Sequence, residues 1–76
     1  MFVELLTPDN TLFSGDADVI TLPGVNGSFQ LMENHAPMIA NLKSGSIEIK
    51  DKNETQTFEI KSGLVEVLKN KVVVLV

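Results

Sequence analysis

Ser46-Ile47-Glu48-Ile49-Lys50, followed beyond a polar Asp51-Lys52-Asn53-Glu54 by Thr57-Phe58-Glu59-Ile60-Lys61, decides the fold class of this chain. Apolar and polar residues alternate in both runs. A period of two places Ile47 and Ile49 on one face, with Ser46, Glu48 and Lys50 on the other. That is the pattern of a half-buried strand with one wet face. The polar segment between the runs suits a hairpin turn and puts Lys52 at its tip.

Toward the C-terminus the same reading continues. Ser62-Gly63 punctuates the chain, and Leu64–Leu68 reads as a strand joined to Val72–Val76 by a turn at Lys69-Asn70. Asn tolerates the left-handed backbone that short hairpins need. The last strand is apolar on both faces, so it is expected to be central or to lie under a partner. Toward the N-terminus the pattern is more broken. Phe2–Leu6 reads as a strand stopped by Thr7-Pro8-Asp9-Asn10. Leu12-Phe13 is a short extended piece, and Ser14-Gly15-Asp16 is expected to turn the chain into Ala17–Leu22. Pro23-Gly24 and Asn26-Gly27 are two further turn signals. Ser28–Met32 alternates, and Met38–Leu42 reads as a short strand before Lys43-Ser44-Gly45. The segment closest to a helical period, Met32–Leu42, is interrupted by Pro37. Frequent turns between short strands predict an all-β domain, a flattened β-sandwich or barrel of about ten strands.

The totals bound what such a domain does. Seventy-six residues make one domain, residues 1–76, with a modest core. A chain this short buries roughly 60–70% of the surface it exposes when unfolded. It has no cysteine, which removes disulfides and thiolate metal sites and leaves a partner surface as the remaining support. Ten Asp and Glu stand against six Lys, with no Arg. That balance opposes nucleic-acid binding, which needs clustered positive charge, and disfavours direct contact with anionic membranes. The longest apolar run, Val72–Val76, is far below the roughly 20 residues that span a bilayer. Met1-Phe2-Val3-Glu4 lacks the positive start of a signal peptide.

The inventory of reactive groups points away from catalysis. His35 is the only histidine, so no two-histidine metal site can form. A triad assembled from His35 and one of five serines has no supporting spacing. The glycines never form a phosphate-cradling loop. Asp16-Ala17-Asp18 reads as a solvated turn ahead of a strand rather than a calcium loop. Gly24-Val25-Asn26-Gly27 matches the glycine loop of KH domains only superficially, because helices and basic surroundings are missing. No catalytic residue, cofactor or metal is therefore expected. A carrier reading remains as the alternative, since biotinyl and lipoyl domains are β-sandwiches with a modified lysine at a hairpin tip. Lys52 occupies such a tip, but the residues that flank a modified lysine are missing. Lys52 reads better as a solubilising turn residue.

A longer pattern runs through the whole chain: Thr7-Pro8, Phe13-Ser14-Gly15, Leu22-Pro23-Gly24, Gly27, His35-Ala36-Pro37, Leu42, Gly45-Ser46-Ile47, Ser62-Gly63 and Val65-Glu66-Val67. It resembles the N-terminal domain of the epsilon subunit of F-type ATP synthases, called delta in mitochondria. The resemblance implies a β-sandwich that packs on the gamma subunit and rests on the polar loops of the c-ring. It implies a non-catalytic rotor part that couples proton or sodium flow to ATP synthesis on other subunits. As part of F1 it would be peripheral on the cytoplasmic face of the bacterial inner membrane.

By position, the contact candidates are Gly27, Ser28, Phe29, Gln30, Leu31, Met32, Glu33, His35, Ala36 and Pro37. Ser28 and its neighbours would face the c-ring, and the His35 region would lie near gamma and the ring. The family often has an acidic residue where this chain has Ser28, and commonly glycine at Gln30. Glu33 is the candidate to supply the missing charge. Many epsilon subunits continue into an inhibitory helical hairpin that in some bacteria binds ATP. Residues 1–76 hold no such hairpin, so neither helical inhibition nor ATP binding is expected from them.

Overall fold

The computed structural model describes residues 1–52 and 54–76; Asn53, part of the expected Asp51–Glu54 turn, lies outside them. The described residues form nine strands: β1 (Phe2–Leu6), β2 (Thr11–Asp16), β3 (Val19–Gly24), β4 (Gly27–Met32), β5 (Met38–Leu42), β6 (Gly45–Asp51), β7 (Glu54–Ile60), β8 (Gly63–Leu68) and β9 (Lys71–Leu75). They join into one hydrogen-bonded sheet of order β2-β1-β9-β8-β5-β3-β6-β7, with β4 paired to β3. Eight strands laid flat at about 4.8 Å spacing would span roughly 34 Å. The longest dimension is 26 Å, so the sheet curls over itself. The curl has a hinge: β5 and β3 share the single pair Gly24–Leu42. The arms on either side of that bridge close around one core, giving the sandwich-like all-β fold that the alternation predicts.

The core is set by the inward residues of each strand. Ile47 and Ile49 of β6, Val65 and Val67 of β8, and Val72 and Val74 of β9 are all buried. Val3, Leu5, Ile20, Leu22 and Leu31 complete the centre, and no polar side chain is buried with them among the described residues. The two-faced apolar strand is central, as expected: β9 runs parallel to β1 and antiparallel to β8. The turn before it has the backbone its sequence requires, with Asn70 at φ 54°. The Asn70 carbonyl accepts the Phe2 N–H at 3.2 Å, which ties this turn to the start of β1.

Two turn expectations are corrected. Ser14-Gly15-Asp16 do not turn; they extend β2, pairing Ser14 with Glu4, Gly15 with Val3 and Asp16 with Phe2. The ladder to β1 outweighs their local turn preference, and the chain reverses instead at Ala17-Asp18. Pro23-Gly24 likewise belong to β3, opposite Ser28 and Gly27. Pro lacks only an N–H, which costs nothing where the antiparallel ladder to β4 makes no bond. Val25-Asn26 forms the turn, so of the two neighbouring signals Asn26-Gly27 marks the reversal. Lys52 sits beside the end of β6 with φ 44°, and its N–H donates to Asp18 Oδ2 at 2.9 Å.

Candidate functional site

The candidate contact residues fall on β4 and on the segment from Glu33 to Pro37 that links it to β5. Their side chains divide by the period of two. Leu31 is fully buried in the core and Phe29 is half-buried against it, whereas Ser28, Gln30 and Met32 point outward. The Leu31 side chain fills the interior of the sandwich, not its surface. Gly27 is exposed at the start of the strand, with φ 129°, in the region that favours glycine.

The main chain of β4 has a defined direction as well. The Pro23 carbonyl accepts the Lys43 N–H at 2.8 Å, so Pro23 turns its backbone away from β4. Ser28 is paired with Pro23, and residues opposed in an antiparallel ladder share their hydrogen-bonding sense. Ser28 thus turns its N–H and C=O away from β3, and Gln30 and Met32 follow by alternation. Because β4 pairs with β3 alone among the described residues, these three residues line an open sheet edge. Close packing holds the hairpin: a Cβ on Gly24 would stand 2.7 Å from both the Phe29 ring and the Gly27 carbonyl oxygen. On the outer face, the Gln30 amide donates to Thr21 Oγ1 at 3.4 Å.

Beyond Met32 the chain turns at Glu33-Asn34, where Asn34 takes φ 63°. His35, Ala36 and Pro37 follow without regular structure, and all are exposed. The His35 ring places Nδ1 2.7 Å from the Ala36 carbonyl oxygen, so its hydrogen bond is directed to the main chain. Glu33 accepts a hydrogen bond from the Met1 amine at 3.1 Å, an ion pair linking this segment to β1. The same amine donates to the Ala17 carbonyl at 3.1 Å. Nothing in the spacing of Met1 and Glu33 announces that pair.

Apolar groups surround the segment. Met32 is 55% exposed, Ile39 66% and Leu68 42%. A groove of about 390 Å³ runs beside Phe29, Met38 and Ala40, and another of about 370 Å³ lies along Pro37, Ile39 and Leu68. Exposed apolar side chains beside an open strand edge and a projecting loop suit contact with protein surfaces.

Comparison with known proteins supplies the context. The family described as "ATP synthase, Delta/Epsilon chain, beta-sandwich domain" matches residues 1–76. The ATP synthase epsilon chain of Chlorobaculum tepidum is 40% identical over 75 residues, covering 96% of this chain and 84% of that one. The epsilon chain of Maridesulfovibrio salexigens is 35% identical, over 99% of this chain and 53% of that one. Among solved structures, a chain of the Tetrahymena thermophila mitochondrial ATP synthase central stalk and c-ring superposes with a TM-score of 0.84 at 22% identity. A chain of the Euglena gracilis mitochondrial enzyme superposes at 0.89 with 17% identity. These two matches cover 97% and 96% of this chain but 60% and 48% of theirs, and they establish likeness of fold.

Proposed function

The chain belongs to the ATP synthase delta/epsilon β-sandwich family, and on that premise we propose that it is a non-catalytic subunit of the central stalk. In this reading it attaches the gamma subunit to the c-ring and couples proton or sodium translocation to ATP synthesis elsewhere in the complex. It is peripheral to the membrane, on the cytoplasmic face, through that assembly. Residues 1–76 act as one domain, and the domain itself uses no nucleotide, metal or cofactor. The observation that carries the reading is the match of the family over every residue of the chain.

The geometry suits the task. A part that transmits rotation has to be stiff, and here two arms of hydrogen-bonded strands pack on one core that is apolar among the described residues. Ser28, Gln30 and Met32 present one outward row, which is assigned to the polar loops of the c-ring. His35, Ala36 and Pro37 project next to Ile39 and Leu68, and are assigned to the junction of gamma and ring. A standard interface takes about 600–1,000 Å² from each partner. Two such contacts would cover roughly a third of the 4705 Å² that the domain exposes. Binding on this scale also stabilises a small domain by mass action.

The direct test is recovery of the complex with a tagged chain from gently solubilised membranes. Gamma and c-ring subunits are expected to co-purify. Recovery of neither, from preparations in which the rest of the complex stays intact, would overturn the proposal.

A further inference from the structure

The open edge of β4 has a second consequence, for the chain when it is free of its stalk partners. The two end strands of the sheet path, β2 and β7, carry guards. Strand β2 ends in Asp16 and faces a register shift between Leu5 and Leu6, and β7 carries Glu54 and Glu59. Strand β4 has neither charge nor proline from Gly27 to Met32. Charges, prolines and bulges are the usual devices that stop an edge strand from pairing with another chain.

We infer that the free chain pairs through β4 with β4 of a second copy of itself. The register follows from the open groups. With Ser28, Gln30 and Met32 facing out, a two-fold axis at Gln30 sets each Gln30 opposite its counterpart and each Ser28 opposite Met32. Phe29 then falls beside Leu31, so core-facing side chains meet core-facing side chains and the inner face stays inner. A slip by one residue would turn one copy over, which the buried Leu31 opposes. Charge favours the same arrangement. Glu33 lies opposite Gly27, and the two carboxylates sit at far ends of the ladder. A parallel pairing would set Glu33 beside Glu33, and like charges directly opposed destabilise a sheet.

A ladder of six residues on each side is small against the roughly 1,200 Å² of a stable interface. The pair is therefore weak and reversible. If Ser28 meets the c-ring as proposed above, self-pairing covers that strand until assembly displaces it. The pairing does not depend on that reading; only this consequence does.

Sedimentation equilibrium of the free chain, from low micromolar to millimolar concentration, is combined with residue-resolved amide exchange. A concentration-dependent dimer is expected, with the Ser28, Gln30 and Met32 amides slowing as it forms. Gln30→Pro removes an N–H that β3 does not use, and Gln30→Lys sets two cations face to face. Each variant is expected to keep the free chain's circular dichroism and weaken the dimer at least about tenfold. A monomer throughout, or a dimer protected away from β4 and indifferent to both variants, overturns the inference. So does β4 protection that appears only when gamma or the ring is added, which would mean that a partner takes the edge. Because the dimer test uses the free chain alone, failure of the stalk reading leaves it standing.

Discussion

The Glu33 carboxylate stands 3.1 Å from the Met1 amine while its side chain remains 63% exposed. It is thus held in place by one end and still presented to solvent by the other. An ion pair this exposed contributes about 1 kcal/mol or less. Glu33→Lys is accordingly predicted to leave denaturant stability nearly unchanged. The same substitution is expected to weaken association with the c-ring, since Glu33 is the candidate for the charge that Ser28 lacks. Unchanged association of a folded Glu33→Lys chain would remove Glu33 from the contact.

Leu31 and its neighbours on β4 should separate core from contact. Leu31 is wholly buried, and Leu31→Ala is predicted to cost about 2–5 kcal/mol in chemical denaturation. Ser28→Ala is expected within about 0.5 kcal/mol of the parent. Its effect should appear in binding to the ring. A large loss of stability in Ser28→Ala would show that the outward row is structural.

Gly24 is predicted to be intolerant of any side chain. A Cβ there would stand 2.7 Å from the Gly27 carbonyl, which as backbone cannot swing aside. Gly24→Ala should cost about 1–3 kcal/mol through strain in the β3–β4 hairpin, read as a lower midpoint in urea. A wild-type midpoint would contradict the packing described for this hairpin.

Asn70 tests the turn between β8 and β9. At φ 54° it adopts a backbone that L-residues enter at a cost of about 1–2 kcal/mol, less for Asn. Asn70→Ala should lose stability on that scale and Asn70→Gly should not. Thermal unfolding of the two variants distinguishes them, and equal effects would mean that the side chain, not the backbone, matters.

The residues that were legible in sequence are those whose environment is local. Ile47 and Ile49 alternate with polar neighbours, and Asn70 marks its own turn, so β6, β8 and β9 follow from the chain itself. The misread turns failed for one reason. Ser14-Gly15-Asp16 and Pro23-Gly24 have turn chemistry but sit opposite β1 and β4, and the ladder prevails over local preference. Strand order was illegible because β1 pairs with β9 in parallel from the far end of the chain. The site divides in the same way. The segment from Gly27 to Pro37 stood out by its motif, and alternation alone separates Leu31 from Ser28 and Gln30. The open β4 edge and the Met1–Glu33 pair depend on long-range topology, which no short window contains.

Single-cysteine cross-linking in the assembled complex tests whether this surface joins gamma and the c-ring. The chain has no cysteine of its own, so each introduced thiol is unique within it. Ser28→Cys is expected to cross-link to the ring and His35→Cys to gamma or the ring, while Thr57→Cys on β7 gives neither. Cross-links from Thr57→Cys alone, with none from the other two positions in intact complexes, would put the contact on β7 and not on β4 and the His35 segment.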